Sequence, residues 1–304
     1  MKLAAIDTGS NAVRMAIGDF SSSPQGVVLE VIRIPVRLGH EVFSRGSIND
    51  STANRLIQAF QKFKAKMSNY KVYNYKAVAT SAMREARNGE ELKKRIFQTS
   101  QIQIEIIDGK EEARLVHLGV KKKMEDESLD ALIFDIGGGS VETIFSHDGN
   151  VTEQESMCMG TVRLLNKFDP DHEFEQMHTF IRESIEKHRK GFCEPDGVIP
   201  KKLVGTGGNV RCLGQLGRLH LGKNTDQKLK QKDIESLITL LHSYSTQTRQ
   251  EGLGLRPDRA DVIMPAALIV YEFMIQYGYR SLDIPRSGLK NGMLFDLAEN
   301  CSNS

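Results

Sequence analysis

An internal repeat constrains this chain more than any other feature of its sequence. Ile6-Asp7-Thr8-Gly9-Ser10 recurs as Phe134-Asp135-Ile136-Gly137-Gly138-Gly139-Ser140. Each copy is an apolar run ending in Asp, then a Gly/Ser turn, then a second apolar run, which is the pattern of strand, turn and strand. Two such units imply a duplicated α/β domain with the equivalent turns facing one another across an interdomain cleft. The 304 residues leave room for two domains, each with its own core. Lys121-Lys122-Lys123, followed by Glu125-Asp126-Glu127, marks the junction as a solvated charge run. The expected domains are therefore 1–123 and 124–304, with a last helix over about 291–299 packing back on the first. Apolar periodicity predicts strands over 2–7, 27–37, 73–79, 102–107, 129–135, 141–146, 151–157, 202–204 and near 281–284, with another ending at Asp19. It predicts helices over 50–67, 90–100, 110–122, 174–188, 231–247 and 259–277.

The repeated turns carry the chemistry. Glycines let a backbone turn with positive φ and bring amide N–H groups close to a ligand. Ser10, Asn11 and Ser140 add donors suited to phosphate oxygens. Asp7 and Asp135 are hard oxygen ligands, placed to hold Mg²⁺ against the same phosphates directly or through water. One Asp-Gly-Ser turn alone is ordinarily a hairpin. Two matched copies point instead to phosphate binding by Gly9, Ser10 and Asn11, and by Gly137, Gly138, Gly139 and Ser140. A third turn, Gly205-Thr206-Gly207-Gly208, opens a helix whose first amides favour anions, although a ligand-free turn fits equally well.

Glu111 and Glu112 both fall in the first turn of a predicted helix, where acidic residues commonly complement the helix dipole. Neighbours on a helix point about 100° apart, so periodicity leaves open which one faces the site. Glu142 shares a strand face with Ser140, and a carboxylate beside phosphate needs a metal or water between them. That expense favours a catalytic role over an exposed edge position. Arg14 and Arg84 lie beside the motifs and suit a bidentate clamp on phosphate; Arg37 and Arg259 are further candidates near element ends. The eight histidines show no metal-ligand spacing, and Cys158, Cys193, Cys212 and Cys301 form no C-x-x-C pair. Reduced thiols, no signal-peptide core and no apolar run long enough to span a bilayer lead to a cytoplasmic expectation with no membrane partner. The net charge of +2 gives no global field for nucleic acid, so an anionic substrate must be attracted locally.

These segments resemble the exopolyphosphatase/guanosine-pentaphosphate phosphohydrolase family of the actin–hexokinase–Hsp70 superfamily. The resemblance also takes in Arg37-Leu38-Gly39, Ala79-Thr80-Ser81-Ala82-Met83-Arg84, Glu111-Glu112-Ala113-Arg114-Leu115, Arg259-Ala260-Asp261 and Ser287-Gly288-Leu289, in order along nearly the whole chain. It implies two actin-like, ribonuclease H-like domains in a short form without appended C-terminal domains. The second Glu of Glu-Glu-Ala-Arg is the family's water-activating residue, which falls on Glu112, and Glu142 is also implicated. Thr8 and Ala12 depart from the usual Leu and Ser, and Lys290-Asn291 replaces a common Arg-Glu pair.

The reading that follows is an exopolyphosphatase that releases orthophosphate from the end of inorganic polyphosphate with Mg²⁺. Glu112 and Glu142 are catalytic in this reading, while Asp135 and Asp7 hold metal. Gly9, Ser10, Asn11, Arg14, Arg84, Gly137, Gly138, Gly139, Ser140, Gly207 and Gly208 bind phosphate. Guanosine pentaphosphate, cut to the tetraphosphate, is the alternative substrate, and a homodimer is the assembly entertained. A non-catalytic sensor of alarmone nucleotides and a kinase using Gly205–Gly208 as an adenosine loop are the rivals. A water-activating Glu112 would waste ATP, which argues against the kinase.

Overall fold

The computed structural model describes residues 1–192 and 200–302; Cys193 lies outside them. The chain divides into two compact units, Met1–Glu125 with the segment from Ser287, and Asp126–Arg286. The junction thus falls within the charge run expected to mark it, two residues beyond the expected boundary after 123. Residues from 287 onward belong to the first unit, whereas a second domain over 124–304 would have included them.

In the first unit, β1 (Lys2–Thr8), β2 (Val13–Asp19), β3 (Val27–Ile34), β4 (Asn74–Ala79) and β5 (Glu105–Ile106) form one sheet in the order β3-β2-β1-β4-β5. The first three strands are antiparallel, and β4 and β5 continue parallel to β1. The helices are α1 (Leu38–Arg45), α2 (Asp50–Tyr70), α3 (Ser81–Glu85), α4 (Gly89–Ser100), α5 (Gly109–Met124) and α13 (Leu289–Ser302). Helix α2 starts where the Asn49 side chain accepts the Thr52 amide, and it buries Leu56, Phe60, Phe63 and Met67, the 3.6-residue stripe seen in the sequence. These join Ala4 and Ile6 of β1 in one core. On strand β3 the β-branched pattern overran the element. Pro35 has no N–H for a ladder, so the strand stops at Ile34 and α1 follows. Edge strand β5 is likewise only two residues long, shorter than the apolar run around it.

The second unit repeats the plan. Its strands are β6 (Ala131–Ile136), β7 (Val141–His147), β8 (Asn150–Met157), β9 (Lys202–Thr206), β10 (Lys228–Lys230) and β11 (Ser281–Asp283), in the order β10-β11-β9-β6-β7-β8. Strands β8, β7, β6 and β9 therefore match β3, β2, β1 and β4 in order and direction. This is the duplicated actin-like α/β fold. The helices are α6 (Thr161–Leu165), α7 (Phe174–Gly191), α8 (Gly208–His220), α9 (Gln231–His242), α10 (Thr248–Leu253), α11 (Pro257–Ala260) and α12 (Ile263–Gln276). The helix expected over 231–247 stops at His242, and α10 starts only at Thr248; the one expected over 259–277 is interrupted by a turn at Asp261-Val262. Helix α12 is the long apolar run of the sequence and is buried on nearly every side, with Phe273 stacked on Phe134 at 4.9 Å. No described helix is long and apolar enough to cross a membrane.

Helix α13 is fixed to the first unit by charge as well as packing. Asp296 accepts from Lys76 at 2.7 Å and Arg114 at 2.8 Å, and Arg114 also clamps Glu111 through two bonds of 2.7 and 2.8 Å. Burial pushes the Asp296 carboxyl up, but the hydrogen bonds from Lys76 and Arg114 outweigh it and hold the group below its ordinary value of 3.8. A depressed carboxyl stabilises the fold above its unfolded value and loses that contribution as pH falls through its folded value. Asp296→Asn should therefore lower stability at pH 7 by about 2 kcal/mol, the scale of hydrogen bonds to charged groups. The gap to wild type in urea melts should close below pH 3.8. A gap that persists in acid would mean that packing, not charge, holds α13.

Candidate active site

In the first unit, β1 delivers Asp7 to the start of the turn, where the carboxylate is 6% exposed. Its cross-strand neighbour on β2 is Arg14, whose Nη1 donates to Asp7 Oδ2 at 2.8 Å. Ser10 Oγ lies 2.9 Å from Ser81 Oγ, which ties the turn to the first residue of α3. At the other end of α3, Arg84 Nη1 donates to the Ile107 carbonyl at 2.6 Å and stands 4.0 Å from Glu112 Oε2.

Glu111 and Glu112 meet different surroundings. Asp108 caps α5 by accepting the Glu111 amide at 2.8 Å. The Glu111 carboxylate turns to Arg114, whose hydrogen bonds hold it below the usual range, and belongs to the ion network under α13. Glu112 turns the other way, is 5% exposed, and lies beside Arg84. Further along α5, burial and then the charge of Lys121 push His117 down to about 4, so it is neutral at pH 7 and is no phosphate cation.

In the second unit one row of side chains crosses four strands. Thr206 on β9 is opposite Asp135 on β6, Asp135 is opposite Glu142 on β7, and Glu142 is opposite Ser156 on β8. Directly opposed residues share a sheet face. Thr206 Oγ1 donates to Asp135 Oδ1 at 2.5 Å, and Ser156 Oγ donates to Glu142 Oε1 at 3.0 Å. Asp135 is 8% and Glu142 0% exposed. Glu142 is thus no edge-strand residue. Gly137, Gly138, Gly139 and Ser140 make the turn between β6 and β7, and Thr161 at the start of α6 is joined to it by Thr161 N→Gly137 O at 3.1 Å. Gly207 has φ 97°, and a Cβ there would lie 3.0 Å from Asp135 Oδ1, so the third turn is packed against the Asp135 end of β6. Arg259 lies against Gly208 and donates to Asn209 Oδ1, and Asn209 Nδ2 donates to Thr161 Oγ1 at 3.2 Å.

The equivalent rows differ, and this bears on metal binding. Among the described residues no group of three or more His, Cys, Asp and Glu could hold an ion. Mg²⁺ needs only one or two carboxylates when phosphates and waters complete its shell. Asp135 with Glu142 beside it offers such a pair of hard oxygen donors. Asp7 sits instead beside a guanidinium, in the position that Glu142 takes in the other unit.

Residues 23–301 match the model of the Ppx/GppA phosphatase family. The chain belongs to the Ppx/GppA phosphatase family. Membership makes it one of a family of hydrolases and is borne out by relatives over its full length. Exopolyphosphatase 1 of Mycobacterium tuberculosis is 24% identical, covering 97% of this chain and 87% of that one. Among solved structures, an exopolyphosphatase from Cytophaga hutchinsonii superposes with a TM-score of 0.89 at 25% identity, covering 99% and 98% of the two chains. The PPX-GPPA enzyme of Aquifex aeolicus superposes with a TM-score of 0.79 at 25% identity, covering 97% and 99%.

Ser81, Thr206, Asn209 and Ser156 touch candidate residues but were not singled out from sequence. The first three lie in or next to motifs already recognised. Ser156 becomes visible only when the β7–β8 hairpin is put in register. Thr8, one of the departures from the family pattern, is fully buried on the core side of β1 with Ala4 and Ile6, and its Oγ1 has no hydrogen-bond partner among the described residues. A buried hydroxyl without a partner is destabilising. Thr8→Val, which keeps the shape, should raise unfolding free energy by about 1 kcal/mol. A lower denaturation midpoint in the variant would reveal a partner for that hydroxyl.

Proposed function

We propose that the chain hydrolyses the terminal phosphoanhydride of inorganic polyphosphate, releasing one orthophosphate per turnover. The observation that carries this reading is Glu112: a buried carboxylate in the first turn of α5, beside the Arg84 guanidinium, in the family's Glu-Glu-Ala-Arg segment. Glu112 accepts a proton from water as the water oxygen attacks the terminal phosphorus. The bond from that phosphorus to the bridging oxygen breaks in line, and the chain leaves one phosphate shorter. Arg84, already oriented by the Ile107 carbonyl, places a fixed positive charge next to the base, where the equatorial oxygens gather charge. Ser10, Asn11 and Gly9 in one unit, and Gly137, Gly138, Gly139 and Ser140 in the other, are phosphate-binding turns. Gly207 and Gly208 form a third.

Asp135, with Glu142 opposite it, is the site proposed for Mg²⁺, which when bound neutralises phosphate charge. Thr206 and Ser156 fix these two carboxylates by donating to them, so neither has to be ordered when substrate arrives. Asp7 is better placed to hold Arg14 in position than to ligate metal, because the guanidinium already occupies one of its oxygens.

Glu112→Gln should slow phosphate release by about 10²–10⁴ while polyphosphate still binds, the usual cost of losing a positioned general base. Glu111→Gln, acting only through the α13 network, should leave kcat within about twofold, as expected of a surface-side ion pair. Wild-type turnover in Glu112→Gln would remove it from the mechanism. Running polyphosphate and guanosine pentaphosphate side by side decides the substrate, and tight nucleotide binding without phosphate release would favour a sensor instead. Asp135→Asn should raise the Mg²⁺ concentration for half-maximal activity by roughly tenfold or more, since an amide is a neutral, weaker ligand. An unchanged metal titration would make Asp135 a structural residue.

A further inference from the structure

The two Gly/Ser turns share a feature that lies outside their own sequence. In the first, the Ser10 carbonyl accepts the Gly39 amide at 2.8 Å and the Asn11 carbonyl accepts the Arg37 amide at 3.0 Å. In the second, the Gly137 carbonyl accepts the Thr161 amide at 3.1 Å. The Gly138 carbonyl accepts the Val162 amide at 2.8 Å and the Arg163 amide at 3.1 Å, and the Gly139 carbonyl accepts the Gly160 amide at 3.1 Å. Two side chains take part: Arg163 Nε donates to the Gly139 carbonyl at 2.8 Å, and Thr161 Oγ1 donates to the Gly137 carbonyl at 3.4 Å. Both donor segments come at the same point of the repeat, after the third strand and at the start of a short helix, α1 in one unit and α6 in the other.

A trans peptide is planar, so each N–H points opposite to the C=O of the preceding residue. Drawing the carbonyls of residues 10 and 11 to one side turns the amides of Asn11 and Ala12 to the other. Drawing those of residues 137–139 turns the amides of Gly138, Gly139 and Ser140 away from α6. Consecutive amides aimed alike make an anion-binding nest, whereas a carbonyl turned the same way would repel phosphate. Resting on the reading of these turns as phosphate sites, we propose that Arg37–Gly39 and Gly160–Arg163 are positioning segments. They take up the turn carbonyls and so hold the amides toward phosphate before it binds.

Three local features fit this role. Arg37 is held at φ 60°, a conformation a non-glycine residue adopts at a cost, and it is here that its amide meets Asn11. A Cβ on Gly39 would come within 2.9 Å of Ser10 Cβ. A Cβ on Gly160 would strike the Gly138–Gly139 peptide itself. Both glycines are therefore needed for the donor segment to lie flat on its turn. The Arg37-Leu38-Gly39 motif, conspicuous in the sequence but without a role in the chemistry above, gains one as the support of the first turn.

Arg163 offers the cleanest test, because its side chain can be changed without touching the backbone. The probe is tripolyphosphate, titrated into the full chain carrying Glu112→Gln so that it is consumed slowly. In that background Arg163→Met should raise the dissociation constant about tenfold, the lower end of what losing a hydrogen bond from a charged donor costs. The melting temperature should stay within about 3 °C, since stability is shared over the other bonds to the turn. Arg163→Lys, which keeps a charged donor but not the guanidinium geometry, should fall between the two. Should the methionine variant fail to fold, the lysine variant carries the test through the same comparison of affinity with melting. Ser140→Ala in the same background tests the phosphate reading separately. Parent-like affinity in Arg163→Met alongside weakened Ser140→Ala would overturn the positioning role and leave the phosphate turn standing. Affinity and melting temperature falling together, with no recovery in lysine, would make Arg163 merely structural and overturn it too. No change in either Arg163→Met or Ser140→Ala would overturn both readings.

Discussion

Burying an aspartate at the end of a central strand constrains everything around it. A carboxylate with less than a tenth of its surface exposed must find donors or opposite charge, or it destabilises the strand that carries it. Both units accept this constraint at the same place and meet it differently. Asp7 is met across the ladder by a guanidinium at 2.8 Å. Asp135 is met on the other side, by the Thr206 hydroxyl at 2.5 Å, while its partner across the ladder is the acidic Glu142. The first arrangement is closed on itself. The second sets two carboxylates opposite one another in the ladder, each met by a hydroxyl on its outer side.

The duplication therefore preserves backbone and diverges in side chains. Strand order, direction, the Asp-terminated central strand and the bracing of turn carbonyls are common to the two halves. The rows crossing the sheets are not. Val78, Asp7, Arg14 and Arg33 stand where Thr206, Asp135, Glu142 and Ser156 stand in the other. A backbone device that only aims amides works for either half, because it depends on peptide geometry rather than side-chain identity.

Much of this was legible before any coordinates. The repeat in Asp7-Thr8-Gly9-Ser10 and Asp135–Ser140 gave the duplicated α/β fold, because an apolar run ending in Asp and a Gly turn leaves few other local structures. The apolar stripes of α2 and α12 were read correctly as helix, since long periodic segments carry the strongest signal. What escaped was short or set by distant partners. Helices α1, α3 and α6 have eight residues or fewer, too short for a period to show. The breaks after His242 and Ala260 depend on packing that apolar spacing does not encode. The row from Thr206 to Ser156 joins four strands, and only their register reveals that these side chains share a face. Periodicity could not separate Glu111 from Glu112 for a similar reason: the side to which Glu111 turns is set by Lys76, Arg114 and Asp296, one of them far along the chain.

That distant contact also shapes how the first unit can fold. Its sheet has α2 on one face, but on the other it relies on α5 together with α13, and α13 is separated from α5 by the whole second unit. Leu3 and Ala5, on the strand face opposite Ala4 and Ile6, are fully buried in the finished unit. Closing that face requires a loop of more than a hundred and fifty residues to have been spanned. The entropy of closure grows only slowly with length, and it falls further when the intervening chain is itself folded. Asp126–Arg286 is continuous in sequence and carries its own core, so it can fold without waiting for the first unit. The ion network is then well suited to the late step. Asp296 brings the charge that Lys76 and Arg114 lack, and a partly buried charge pair discriminates against a misplaced helix more sharply than apolar contact does. The same network holds Glu111 on its side of α5, and because the helix is rigid, that orientation leaves Glu112 facing Arg84.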